Sequence, residues 1–572
     1  MANLITPKEL NDTGDQYFYG NGIDKNIEVA YTYYKRAADQ NNPIGYANVG
    51  KYFLVKNQFK EAFNYYEKSA DLKYSYAYIK LSEMYLNGVG TKKNKKKAFK
   101  NLEEAVKLQE VDSYHLLGKY YLLGIGTGKN ENKALRLFEL SAQNNNSEGM
   151  FLLGQLLITG KSVKNDLDSA FFYLDKAAVN KNINAINYLK KLYEEPHAYL
   201  KKKSELYRKE MWFYYDELLA NVDDVDALKR TAFRYYYGDE IVKINFEKSL
   251  KYFKILHGLD EVDGYFGLGV SFMYGQGVEI DLEKARDYLM IAANRNSSEA
   301  KNALGDMYRL GKGVPADYSR ARDLYLDAAK DNNTDALVNL GLLHYRKQIK
   351  NASETLALQF MTKASEFDNG ASYYWLGIFY DKGIGCSRSS ENSKTNFKKA
   401  IDKGNTGAKY KLAQLVYDEV SLSKLSKRKA DKNYSYVVEL LVEYINNPLS
   451  QDINVLYSMN LLGELYQQAN FSNSSKKISR YWYETAAEKG FVKSMVKMYE
   501  ILKNKEDERA LFWLEKACEK PVDGEGLYLL GLVYEQGLLG LEKDKVKAQR
   551  LFNKAAELNY QDAVMKITMQ TN

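Results

Sequence analysis

A Leu-Gly pair, followed by a Tyr and a Gly-x-Gly turn, recurs along this chain and restricts what it can fold into more than any other feature. Within residues 300–329 the pattern reads Ala300, Leu304-Gly305, Tyr308, Gly311, Gly313-Val314, Asp317, Ala321, Tyr325 and Ala328-Ala329. Thirty-six residues earlier, Leu268-Gly269, Phe272, Gly275, Gly277-Val278, Asp281, Ala285, Tyr288 and Ala292-Ala293 repeat it in register. With the Gly of the pair as a mark, equivalent positions fall at Gly14, Gly50, Ser82, Gly118, Gly154, Lys190, Ala232, Gly269, Gly305, Gly341, Gly377, Ala413, Gly463, Lys497 and Gly531. Eight of the fourteen intervals are 36 residues, and the marks span nearly all of the 572-residue chain. A period of this length implies supersecondary units that cannot bury their apolar faces alone and must stack on their neighbours.

Each recurring residue has a physical reason. Ala300, Leu304 and Tyr308 are four apart, which predicts one apolar face of a first helix. Ala321, Tyr325, Ala328 and Ala329 predict a second. Small residues let two helix axes approach, large rings fill the wider gaps, and the Gly-x-Gly stretch ends the first helix and turns the chain. Residues 560–569 read as a short capping helix.

The Ala-x3-Leu-Gly-x2-Tyr-x2-Gly-x-Gly-Val block and the Ala-x3-Tyr-x2-Ala-Ala block resemble the Sel-one-like repeat (SLR) family, relatives of the tetratricopeptide repeats. The resemblance is sharpest in units 1, 4, 8 and 9, whereas units 6, 7 and 12 are degenerate. It implies an all-α fold: a right-handed alpha-alpha superhelical solenoid of about fifteen helix-turn-helix units with a C-terminal capping helix. Two links are stretched. One holds Pro196 and Lys201-Lys202-Lys203, and the other the run SLSKLSKRKADK. They predict irregular joints near 191–226 and 414–452, and hence three blocks, 1–190, 191–413 and 414–572.

Composition narrows the function. The net charge of +8 arises from 82 basic and 74 acidic residues, too mild a balance for a dedicated nucleic-acid binder. No apolar run is long enough to cross a membrane. The first ten residues, MANLITPKEL, lack the apolar core of a secretory signal. Cys386 and Cys518 form neither a disulfide framework nor a metal cluster, and together these features predict a cytoplasmic protein. The frequent Asn and Lys suggest an AT-rich genome.

Motifs for chemistry are weak. His115, His197, His257 and His344 never occur at metal-ligand spacing. Gly160-Lys161-Ser162 resembles the end of a phosphate loop, but Gln155 stands where the first glycine is required and a helix is predicted before it. The Gly-x-Gly loops, such as Gly124/Gly126 and Gly383/Gly385, recur once per unit and so read as turns. No acidic pair is singled out. The basic runs at residues 92–97, 201–203 and 424–432 lack interleaved aromatics; they are expected to be solvated loop charge, with an anionic membrane surface or nucleic acid as the less favoured partner. The first of them is expected in an inter-helix loop. No cofactor and no metal is expected, and the chain is not expected to be an enzyme.

In tetratricopeptide-like units the first helix lines the concave surface. By that analogy the open positions lie three before the mark, one after it and four after it. Units 7 and 8 place Phe233, Tyr236, Phe266 and Met273 there, and units 10 to 12 place Leu342, Tyr345, Tyr374, Ile378, Tyr410 and Tyr417. Unit 9 interrupts them with Asn302, Asp306 and Arg309. Tyrosine is enriched at interfaces, so this stripe is the expected site for a peptide, loop or helix of another protein. The expected function is a non-catalytic scaffold or adaptor. The alternatives are an immunity- or antitoxin-type protein that inhibits a toxic enzyme and, from another class, an enzyme or its regulatory arm.

Overall fold

A computed structural model describes residues 5–195, 199–423, 426–447, 450, 452–468, 475–503, 507–519 and 523–571 of the protein. Among these residues thirty-one α-helices follow one another from α1 (Pro7–Tyr19) to α31 (Gln561–Thr571), with no strand. Each of the fifteen marks lies on an odd-numbered helix, and the following even-numbered helix completes its pair. The capping helix expected at 560–569 is α31. Pro196, His197 and Lys424 lie outside the described residues.

Three small positions hold the pairs together. The first is the mark itself. A methyl group on Gly14, Gly118, Gly305 or Gly463 would stand 2.5–2.6 Å from the ring of Tyr34, Phe138, Tyr325 or Tyr483. Each ring comes twenty residues later, on the second helix of the same pair, and each is fully buried. Burying such a side chain contributes roughly 1.5–3 kcal/mol, and only a glycine leaves it room. The second lies sixteen residues after the mark, where Ala30, Ala98, Ala134, Ala170, Ala321 and Ala357 are fully buried. In pairs 11 and 13 it is Ser393 or Ser479, whose hydroxyl donates to the carbonyl of Gly377 (2.8 Å) or Gly463 (2.7 Å). The third lies five residues before the mark and faces the preceding pair. A methyl group on Gly45, Gly149 or Gly264 would come within 2.2–2.5 Å of Ala38, Ser141 or His257 of the preceding second helix.

In three of the turns between pairs two successive asparagines make the turn. Asn41, Asn145 and Asn332 take a left-handed conformation (φ 58°), which Asn tolerates better than most residues. The next residue, Asn42, Asn146 or Asn333, caps the following first helix by accepting from the backbone N–H of Gly45, Gly149 or Ala336 (2.8–2.9 Å). The amide of Asn146 also donates to Asp112 at the start of the preceding first helix (3.0 Å), and that of Asn182 to Glu148 (3.1 Å). The abundance of Asn is therefore used by the fold itself.

Two marks depart from the pattern. At pair 14 Lys497 is half exposed and pairs with Glu500 (2.8 Å), and the equivalent position is the buried Tyr499, nine residues after the left-handed Gly490 and five after the buried Ser494. The Ser494 hydroxyl donates to Asn460 of the preceding first helix (2.9 Å). At pair 6 Lys190 does occupy the crossing. There the second helix, α12 (Glu205–Ala220), presents no ring to a glycine. It presents Trp212, whose ring lies 4.5 Å from the Lys190 ammonium, and Asp216, which pairs with that ammonium.

By density of contacts the chain divides into two compact units, Met1–Asp281 and Leu282–Asn572. The boundary lies in the loop between the two helices of pair 8. The first unit holds pairs 1–7, and the second holds pairs 9–15 and α31.

Candidate protein-binding face

The three small positions and the rings between them bury one side of every first helix, leaving the positions three before, one after, and four and five after the mark to line its other side. In pair 9 these are Asn302, Asp306, Arg309 and Leu310 on α17 (Ser298–Leu310). The polar interruption expected there is internally satisfied. Arg309 donates to Asp306 (2.7 and 3.1 Å) and to the Tyr325 hydroxyl (3.1 Å), and Asn302 accepts from Asn339.

The ten residues expected on this face divide into two groups. Phe266, Met273, Ile378 and Tyr410 are buried, so the expectation that they stand open is corrected. The small position five before each mark draws neighbouring first helices close enough to close over them. Phe233, Tyr236, Leu342, Tyr345, Tyr374 and Tyr417 are half-buried. In the first unit, Phe233 packs on Phe253 (5.2 Å) and Phe266 (6.1 Å), and Tyr236 on Phe246 (5.8 Å). In the second unit, Trp375 links Tyr345 (6.0 Å) to Tyr374 (5.5 Å), while Tyr417 packs near Tyr434 (6.2 Å).

Beside Ile378 a cleft of about 540 Å³ opens between α21 (Gly370–Lys382) and α23 (Gly407–Leu422). Lys411, Gln414, Asp418 and Leu422 line it. Lys411 is half-buried, and among the described residues no carboxylate pairs with it; burial, and then Lys382, pull its ammonium below the usual lysine range. Burial and the neighbouring Asp381 push the Asp418 carboxyl up. Leu422 is 88% exposed at the rim. Reasoning from the mark missed Trp375, Lys411 and Leu422. The first two lie two residues before a mark, where Asn48 and Asn339 form ladders elsewhere, and a break in that Asn pattern was the available clue.

The remaining candidate groups stay apart. His344 Nδ1 accepts from the Ser353 N–H (3.2 Å) and its ring stacks on Phe360, while His115 Nδ1 is buried without a partner. Among the described residues no three His, Cys, Asp or Glu side chains stand close enough to hold a metal ion, and no helix is long and apolar enough to cross a membrane. Gly160 ends the helix α9 (Ser147–Thr159), so a helix and not a strand precedes Lys161-Ser162. Lys95, Lys96 and Lys97 lie in the first turn of the helix α6 (Lys95–Lys107), which corrects the placing of the whole run 92–97 in a loop.

The Sel1 repeat family model matches residues 11–42, 46–74, 75–109, 111–146, 147–178, 225–255, 262–297, 298–333, 334–366, 370–405, 456–491, 501–521 and 524–560. The longest unmatched stretches, 179–224 and 406–455, contain the degenerate units 6 and 12. The chain has no match among curated proteins. Among solved structures, it is similar to c5321, a protective antigen of uropathogenic Escherichia coli strains displaying an SLR fold (18% identity over 89% of this chain and 91% of that one, TM-score 0.40). It is also similar to a Sel1 repeat protein from Oxalobacter formigenes (20% identity, 67% and 89% coverage, TM-score 0.27) and to the human IFIT1 dimer with PPP-AAAA (17% identity, 81% and 94% coverage, TM-score 0.33). With thirteen matched segments over more than half of its length, the chain belongs to the Sel1 repeat family, whose all-helical arrays generally serve as protein-interaction scaffolds.

Proposed function

We propose that the protein is a non-catalytic scaffold or adaptor that holds a peptide, loop or helix of another protein on the first-helix face of pairs 10–12. One observation carries this reading: the cleft between α21 and α23, with the half-buried, unpaired Lys411 inside it and the exposed Leu422 at its rim. Asp381 and Asp452 act on this half-buried ammonium only from beyond ion-pair distance, and a partner that supplies an acidic group in contact with it recovers part of the cost of its burial. The first helices of pairs 10–12 also carry the half-buried Tyr345, Trp375, Tyr374 and Tyr417, rigid rings of the kind that dominate interface energies. The free thiols of Cys386 and Cys518 suit a reducing compartment, and we place the protein in the cytoplasm. We also keep the blocks 1–190, 191–413 and 414–572 as the working division of the array, on the lengthened second helices of pairs 6 and 12.

The test is capture of partners from the native cell by the full chain and by a Tyr345→Ala/Tyr374→Ala/Tyr417→Ala variant. Binding of the principal partner should weaken by at least about tenfold in the variant. Unchanged binding, with helix content unchanged, sinks the placement.

A further inference from the structure

In the first unit the open side of the first helices differs from that of pairs 10–12. There the exposed apolar residues stand five after the mark, in the last turn of the helix. Tyr19, Val55 and Leu123 are each 52–59% exposed, one per pair, with Asn87 between the last two. Beneath them Phe18, Leu54, Leu86 and Leu122 are half-buried, so the ridge has an apolar floor.

Lysines run alongside this ridge. In pairs 1, 3 and 4 a lysine eleven after the mark packs its stem over the glycine that ends the first helix. The nearest side-chain atom of Lys25, Lys93 or Lys129 stands 2.9–3.4 Å from a methyl group built on Gly20, Gly88 or Gly124. This anchors each lysine stem at the end of the first helix, on the glycine that follows Tyr19, Asn87 or Leu123. The charge is densest at pair 3. Lys92 and Lys93 end the loop, Asn94 caps α6, and Lys95, Lys96 and Lys97 fill its first turn. Among the described residues, none of these five pairs with a carboxylate, and all are exposed. Cations at a helix N-terminus oppose the helix dipole, and adjacent like charges repel, so the fold gains nothing from this cluster by itself.

We propose that the ridge formed by Tyr19, Val55 and Leu123, with Lys92, Lys93 and Lys96 beside it, is a second docking surface, for an acidic protein segment that carries apolar residues. Charge complementarity selects an acidic occupant, and the exposed side chains select an apolar component. The apolar residues emerge one per pair, with Asn87 interrupting them. That spacing suits a segment threaded along the ridge and gives a lipid surface no continuous apolar area to enter.

The full chain is titrated with a short labelled peptide of Glu-Glu-Leu repeats, with its Lys-Lys-Leu counterpart, with single-stranded RNA, and with vesicles containing phosphatidylserine. The acidic peptide should bind, and its counterpart should not. Its affinity should fall by at least about tenfold in Lys92→Glu/Lys93→Glu/Lys96→Glu, fall similarly in Val55→Ser/Leu123→Ser, and fall with added salt. All five positions are exposed, and unchanged circular dichroism shows that the variants fold. No binding of the acidic peptide overturns the proposal, as does equal binding by either variant. Tighter binding of RNA or vesicles than of the peptide also overturns it, in favour of a nucleic-acid or membrane surface.

Discussion

Pairs 9 and 6 solve one packing problem with opposite chemistry. In pair 9, α17 meets α18 (Tyr318–Lys330) through Gly305, and Tyr325 lies flat on it with its hydroxyl donating to Asp306 (2.8 Å). In pair 6, α11 (Ile183–Glu194) carries Lys190 at the same position, and the crossing is filled by a charge cluster. Fully buried Asp216 accepts from Lys190 and, in two bonds of 2.7 and 3.0 Å, from Arg230 of α13 (Val225–Tyr237). Trp212 covers the Lys190 ammonium. The repeat thus requires that the crossing be filled and its polar groups satisfied, and it accepts either an absent side chain or a paired one. The second solution ties pair 6 to pair 7 through Arg230, a dependence that a glycine crossing does not create.

That contrast gives an ordered set of expectations. Since a stacked array opens locally, each is best read as hydrogen exchange of the helices concerned, together with the thermal midpoint. Asp216→Ala should have the largest effect, about 3–5 kcal/mol, because it leaves two cations at the crossing with no carboxylate. Its exchange should rise in α11, α12 and α13 together; a rise confined to α12 would break the idea that the cluster joins two pairs. Lys190→Gly restores the residue most common at the mark, yet it should destabilise by about 1–3 kcal/mol, since pair 6 has no ring to place on a glycine and Asp216 keeps only Arg230. A stabilised protein would show that pair 6 is merely a weakened copy of pair 9. Gly305→Ala should cost about 1–3 kcal/mol despite the better helix propensity of Ala. The new methyl would stand 2.6 Å from Tyr325, whose ring is pinned at its far end by Asp306 and Arg309. Asn146→Ala should cost about 1 kcal/mol, as one cap and one link to Asp112 are lost.

The smallest effect concerns pH. His115, on α7 (Val111–Leu123), is held neutral chiefly by burial and then by Lys119, against the pull of Asp112 and Glu148, so its pKa lies below the usual 6.5. The unfolded chain takes up a proton near 6.5 that the folded one resists. Stability from this residue is therefore full above that pH and declines as pH falls through 6.5 towards the folded value. The thermal midpoint should fall more between pH 7.5 and 5.5 in the natural protein than in His115→Gln; equal falls would assign the titration elsewhere.

The fold was legible because the small positions recur at a fixed spacing, and a glycine that must admit a ring cannot drift along the sequence. Two of the three degenerate units were legible as well: units 6 and 12 fall in stretches that the Sel1 repeat model leaves unmatched, whereas unit 7 is matched over 225–255. The register at pair 14 was not legible, because a tyrosine, Tyr499, stands where a small residue is usual, and only the turn at Gly490 and the buried Ser494 identify it. The candidate face was half legible. Counting from the mark picked six residues that are half-buried and four that are buried, because how far Phe266 or Ile378 sinks depends on how closely the next first helix approaches, which is set by a neighbour some thirty residues away. The Asn-Asn steps at 41–42, 145–146 and 332–333 were in plain view, and their fixed place nine and eight residues before a mark was evidence of a turn.

The central claim is that this array holds a protein partner on its first helices. A photo-crosslinking residue placed singly at Tyr345, Tyr374, Tyr417 and Leu422, and for contrast at Leu326 and Leu356 on second helices, tests it directly. The account predicts that the first four sites capture the same partner in the native cell, that Lys411→Glu abolishes the capture, and that the two second-helix sites do not capture it. Capture at Leu326 and Leu356 but not at Tyr374 and Tyr417, or capture indifferent to Lys411→Glu, would contradict it.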